Sequence, residues 1–184
     1  MLKIKTIEPS TMPVSRWSGG TTTEIAIFPE GAKYSERDFL FRISTAKVEL
    51  HESDFTSLPD YERVIASVEG RMELMHFPAG GESEEAAIEP RETVHCFDGS
   101  VPTHCVGEAQ DLNLMLRKGR AEGGLRFLSD GEMVALELAP NEFALVYSLE
   151  SGVARFASTD EDDFLVFMAE GCSALFTVRL IENR

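Results

Sequence analysis

Short runs of β-branched, aliphatic and aromatic residues alternate along the chain with breaks rich in Gly, Pro, Asp and Asn. That rhythm predicts strands over 22–28, 39–50, 61–68, 71–77, 111–117, 133–138, 143–148, 164–169 and 174–180. No window carries a helical apolar stripe of useful length. Many short strands separated by turn signals make an all-β sandwich or barrel. Pro59-Asp60 and Glu69-Gly70 read as turns, the second closing a hairpin between the strands that flank it. The Gly- and Glu-rich stretch 78–89 reads as a solvated loop, and 118–124 as the connection between two strand-rich halves.

Side chains on a strand point alternately to its two faces, so parity tells which of them meet. Within 39–50, Arg42 and Ser44 share a face with Leu40, Ala46, Val48 and Leu50. An arginine among core-type neighbours is not placed there for solubility. Within 111–117, Leu112, Leu114 and Leu116 face one way and Asp111, Asn113 and Met115 the other.

Composition narrows the picture further. A chain of 184 residues with 43% hydrophobic content is long enough to bury roughly 70% of its unfolded surface without staples. Its 32 acidic against 17 basic side chains give a net charge of -15, which repels phosphate backbones and argues against nucleic acid as a partner. No apolar run reaches membrane-spanning length, and Met1–Lys5 leads into a polar stretch instead of a signal-peptide core. The expected location is the cytoplasm, with no membrane partner and with Cys96, Cys105 and Cys172 as reduced thiols.

The chemistry is best approached by elimination. His51, His76, His95 and His104 are scattered, and no His-x-His pair precedes a carboxylate. The twin dipeptides His95-Cys96 and His104-Cys105 suggest zinc, but adjacent strand residues point to opposite faces and cannot easily share one ion. No metal and no cofactor is therefore expected. There is no Gly-x-Ser-x-Gly elbow, and Gly19-Gly20 neither opens a helix nor precedes a Lys-Ser/Thr pair, which removes a nucleotide loop. What remains is the segment 16–24, where the only tryptophan, Trp17, precedes a Gly-Gly turn, three threonines and Glu24. An aromatic wall, free backbone amides and hydroxyls suit a small polar ligand. Arg42 and Arg63, read as lying on neighbouring strands, add two planar forks that match a carboxylate. The alternative is that these arginines pair internally with Glu24, Asp54 or Glu62.

These residues resemble the HutD/Ves family of cupin-like proteins. The matching blocks are Trp17 to Ile25, Phe41-Arg42-Ile43-Ser44 with Ala46 and Val48, and Phe55-Thr56 with Leu58-Pro59 and Arg63. Phe97-Asp98-Gly99, Cys105, and Asp111 to Met115 with Arg117 follow in family order. The resemblance implies a bicupin, two cupin-like β-barrel halves packed as one compact unit spanning 1–184, with halves of about 1–117 and 118–184. It also implies that the usual cupin metal histidines are missing. Family members are linked to histidine degradation and are thought to bind intermediates such as urocanate or formylglutamate in a regulatory role. Ser18-Gly19-Gly20 stands where many members carry a Lys-Asn pair and an extra glycine, a departure inside the segment expected to touch the ligand.

Together these readings give a non-catalytic binding protein for a small carboxylate metabolite. Arg42 and Arg63 are the expected carboxylate partners, and Trp17 is an apolar wall. Thr23, Glu24 and Ser44 are orienting polar groups, with Glu24 alternatively holding an arginine in place. Asn113, like Asp111, is a weaker candidate that could instead cap a barrel end. The rival is a metal-free cupin enzyme working on a small polar metabolite by acid/base chemistry through Glu24 and an arginine clamp. Cupins commonly dimerise, so a homodimer is the assembly to test.

Overall fold

The computed structural model describes residues Met1–Ile181, and strands dominate it. In chain order they are β1 (Leu2–Ile7), β2 (Val14–Trp17), β3 (Gly20–Phe28), β4 (Phe41–Val48), β5 (Glu52–Asp54) and β6 (Tyr61–Glu69). Then come β7 (Met72–His76), β8 (Glu84–Ile88), β9 (Val94–Asp98), β10 (Thr103–Val106) and β11 (Ala109–Arg117). The last are β12 (Ala121–Leu128), β13 (Met133–Leu138), β14 (Glu142–Ser148), β15 (Ala154–Thr159), β16 (Asp163–Met168) and β17 (Ser173–Leu180). Two short 3-10 turns, Pro9–Thr11 and Tyr34–Glu36, are the only helical pieces among the described residues.

The chain divides into two units. One is Pro13–Lys118; the other joins Met1–Met12 to the chain from Gly119 onward. The first twelve residues belong with the later strands because β1 pairs with β15, Leu2 opposite Thr159.

In the Pro13–Lys118 unit a six-stranded sheet runs β2-β3-β4-β11-β6-β9 and a four-stranded sheet runs β5-β10-β7-β8. All pairings are antiparallel. β4 and β11 lie inside the larger sheet, and both of their faces are buried. On β4, Phe41 and Ile43 alternate with Arg42 and Ser44, all of them buried; on β11, Leu112 and Leu114 alternate with Asp111 and Asn113. Apolar packing fills one part of the unit with Ile65, Met72, Leu74, Ile88 and Cys105. A second cluster gathers Phe39, Leu58, Tyr61 and Met115.

The other unit has a five-stranded sheet, β1-β15-β14-β17-β12, and the pair β13-β16. Its core is formed by residues such as Leu128, Val134, Leu138, Leu165 and Leu175.

Three expectations need correcting. Glu69-Gly70 does not close a hairpin: β6 belongs to the six-stranded sheet and β7 to the four-stranded one, so this turn carries the chain between sheets. The stretch 78–89 is not all loop, since β8 lies in it and Ile88 is fully buried. β12 likewise begins within 118–124.

Candidate functional site

The six-stranded sheet of the Pro13–Lys118 unit presents a polar row where a core would ordinarily be apolar. Register sets it: Met115 on β11 pairs with Arg42 on β4 and with Arg63 on β6. The two arginines are thus separated by one strand instead of lying on neighbouring strands. Two residues along β11, Asn113 stands opposite Ser44, and two further, Asp111 stands opposite Ala46. These side chains line a cavity of about 330 Å³ together with Trp17, Thr22, Tyr34 and Phe55. Arg42, Arg63, Asp111 and Asn113 retain only 5%, 6%, 3% and 5% of their exposure, so their charges and dipoles act outside bulk water, where pairing is strong and its absence costly.

Each arginine is held differently. Arg42 donates through Nε to Glu24 Oε2 at 2.7 Å and through Nη1 to Ser44 Oγ at 3.3 Å. Its guanidinium carbon also sits 4.4 Å from the centre of the Tyr34 ring. Glu24 therefore orients an arginine, as one of the two expected roles has it. Among the described residues no carboxylate lies within bonding distance of Arg63. Its guanidinium carbon lies 4.6 Å from the Phe55 ring and 5.3 Å from that of Phe97, and its Nε has no hydrogen-bond partner among the described residues. Aromatic faces stabilise a desolvated cation without consuming its N–H donors. Internal pairing thus accounts for Arg42, while Asp54 is turned to His104 instead, 2.8 Å from its Nδ1.

Burial dominates the ionisation of the row. Burial lowers the Arg63 guanidinium to about 10, although the nearby Asp111 charge opposes this. Asp111 is pushed up to about 7, again chiefly by burial, against the pull of Arg63 and a backbone hydrogen bond from Ala46. Among the described residues Asp111 Oδ1 and Asn113 Oδ1 have no hydrogen-bond partner.

The glycines after Trp17 have steric reasons. The indole folds over Gly19, where a Cβ would come within 2.0 Å of the Trp17 ring. A Cβ on Gly20 would lie 1.9 Å from the Lys47 carbonyl oxygen on β4. The hairpin β2–β3 pairs Trp17 with Gly20 and Ser15 with Thr22. Thr22, two residues before Glu24, lines the cavity; Thr23 does not, and strand alternation turns it to the opposite face. Of the expected residues, Trp17, Arg42, Ser44, Arg63 and Asn113 come together around the cavity, and Glu24 joins them through Arg42. Tyr34 and Phe55 were missed, because neither lies on a strand with a readable face.

The His-Cys dipeptides separate as their alternation requires. Cys105 is buried and Cys96 exposed. His95 Nε2 meets His76 Nε2 at 2.9 Å, a contact no sequence spacing announces. Thr103 Oγ1 donates to the Val101 carbonyl and lies 2.8 Å from His76 Nδ1. The His76 hydrogen must then sit on Nδ1, leaving Nε2 to accept from His95. Burial lowers both imidazoles, and the His95 charge lowers His76 further. Among the described residues no group of three or more His, Cys, Asp or Glu could hold a metal ion.

A larger cavity of about 610 Å³ lies in the other unit. Its charged lining residues are Glu150, Arg155 and Glu170, the last two 3.8 Å apart with 53% and 79% of their side chains exposed. Size favours that cavity, but the desolvated charges lie in the smaller one, and chemistry decides the choice.

The model of the HutD family matches residues 9–177. The chain belongs to the HutD family. HutD from Pseudomonas fluorescens SBW25 superposes with a TM-score of 0.76 at 19% identity, over 98% of this chain and 100% of that one. A conserved protein of unknown function from Pseudomonas aeruginosa PAO1 gives 0.76 at 21% identity, over 98% and 100%. Oxalate decarboxylase from Bacillus subtilis, a cupin, gives 0.65 at 7% identity, over 95% of this chain and 76% of that one. Comparison with curated protein sequences finds no match. The fold of this HutD-family chain is thus all-β and of the cupin class.

Proposed function

We propose that this HutD-family chain is a non-catalytic binding protein for a small carboxylate metabolite of histidine utilisation, with urocanate or formylglutamate as the occupant of the cavity. The observation that carries this reading is Arg63: a guanidinium 6% exposed, flanked by two aromatic rings, with an Nε donor that no group among the described residues accepts. A carboxylate is the natural complement of such a fork. Arg42, already held by Glu24 and Ser44, offers a second cation at the same level of the sheet. Family membership supports the link to histidine degradation through the family's name.

Calorimetric titration with urocanate, formylglutamate and histidine tests this directly. Arg63→Ala is expected to weaken the bound carboxylate by at least about tenfold, and up to several hundredfold where the pair is fully desolvated. Silence from all three ligands, or undiminished binding by the variant, overturns the reading. One observation favours catalysis as a second reading: a buried carboxyl at about 7, Asp111, faces the same cavity and would be an acid/base group poised near neutrality. Incubation of each ligand with the protein, followed by mass spectrometry, decides it, since binding without conversion removes the enzyme.

A further inference from the structure

The larger cavity, of about 610 Å³, is lined wholly by the unit that joins Met1–Met12 to the later strands. Its origin lies in the register of the five-stranded sheet. On the face turned to the cavity Ala144 pairs with Ala157, and Ser148 with Ser173. Small side chains thus meet small ones where a sheet ordinarily carries branched or aromatic residues. Leu165 and Phe167 of β16 line the same space and do not fill it. Val146 lies between the two small pairs on an interior strand and faces the cavity, yet it is only partly buried, and so is Phe167. The core of this unit is open from within.

Polarity separates this cavity from the smaller one. Among the described residues none of its buried side-chain atoms lacks a hydrogen-bond partner. Its walls therefore hold no bare donor or acceptor that an ion or a strongly polar group would satisfy. Glu150, Arg155 and Glu170 are all exposed and mark the rim. Two carboxylates against one guanidinium, on a chain of net charge -15, disfavour an anion there. Ile4 and Met168, 55% and 57% exposed, carry the apolar lining out to the surface.

We propose that this second cavity binds a small, uncharged and predominantly apolar molecule, held by burial of its surface and not by ion pairing. An apolar cavity of about 150 Å³ already takes up benzene, so about 610 Å³ accommodates a body of about two or three rings. The site is separate from the carboxylate cavity in both position and chemistry, and neither reading depends on the other.

The test uses the full chain and N-phenyl-1-naphthylamine, a neutral probe that fluoresces in apolar surroundings. Its counterpart is 1-anilinonaphthalene-8-sulfonate, which keeps the rings and adds an anion. The neutral probe is expected to bind saturably, one per chain, and the sulfonate at least about tenfold more weakly. Val146→Phe, which grows a ring into the space, should weaken the neutral probe at least about tenfold. Ile4→Glu changes a half-exposed position at the entrance and should weaken it too, even if Val146→Phe loses its cooperative melt. Met133→Glu, at a position 70% exposed on β13 and outside the lining, should leave binding unchanged. Excess urocanate should leave the probe in place. Absence of saturable binding overturns the proposal, and so does equal affinity for the sulfonate. Loss of binding in Met133→Glu with none in the other two variants puts the probe on the outer face of the sheet and overturns it as well. Displacement by urocanate does the same, by putting the probe in the smaller cavity. None of these outcomes alters the expected effect of Arg63→Ala on a carboxylate, so the two readings stand or fall separately.

Discussion

At the scale of single residues, this protein places titratable groups where burial outweighs local attraction. Asp111 is the sharpest case, because its carboxyl rises from 3.8 to about 7 on folding despite the charge of Arg63. Between those values the folded chain holds a proton that the unfolded chain has released. Stability contributed by this group therefore falls as pH rises from 3.8 towards about 7, and the loss is complete above it. Urea unfolding at about pH 5 and about pH 8 should show Asp111→Asn relieved of a penalty of a few kcal/mol that the wild type acquires at the higher pH. Identical pH dependence of the two proteins would contradict this account. The placement of Arg42, Ser44 and Asn113 was readable from the sequence because a two-residue period leaves a polar side chain conspicuous among apolar ones. Thr22 lines the cavity in place of Thr23, as the two-residue period that links Thr22 to Glu24 requires. The unpaired state of Arg63 was not readable, since it depends on Phe55 and Phe97 arriving from separate strands or loops.

At the scale of elements, the hairpin β2–β3 depends on a backbone approach that tolerates no side chain. Gly20→Ala should destabilise the protein by about 1–3 kcal/mol, because its Cβ would strike the Lys47 carbonyl of β4. Gly124→Ala on β12 is the matched control, as a Cβ there meets nothing within 4 Å. Thermal or urea melts compare the two, and equal effects would remove the steric argument. Eight strands are absent from the sequence reading, namely β1, β2, β5, β8, β9, β10, β12 and β15, and three of them share a character. β5, β8 and β10 are three to five residues long and read Glu-Ser-Asp, Glu-Glu-Ala-Ala-Ile and Thr-His-Cys-Val. Such segments become strands because a neighbouring edge offers hydrogen bonds, not because their own composition demands it. The long strands β4, β6 and β11 were legible since apolar residues recur along them, Phe41 and Ile43 on β4, Val64 and Ile65 on β6, and Leu112, Leu114 and Leu116 on β11. The Glu69-Gly70 turn was misread as a hairpin because a tight turn is locally the same whether it returns the chain to its own sheet or passes it to another.

At the scale of the whole molecule, every residue lining the candidate cavity comes from Pro13–Lys118. That segment, expressed alone, is expected to fold with strand-type circular dichroism and a cooperative melt. Its single tryptophan, Trp17, should report the same ligand response as in the full chain. A fragment without a melting transition would mean that its sheets need the rest of the chain. The acidic excess behind the net charge of -15 acts at this scale as well, favouring solubility over any one contact. Finally, the pairing of β1 with β15 bears on synthesis. β1 leaves the ribosome before Pro13–Lys118, yet its partner β15 emerges only after the whole of that segment has been made. Closing so long a loop is entropically expensive and slow unless the intervening segment has already compacted. The cavity-bearing unit is thus translated as an insertion inside its companion, whose two pieces can pair only after that insertion has been made.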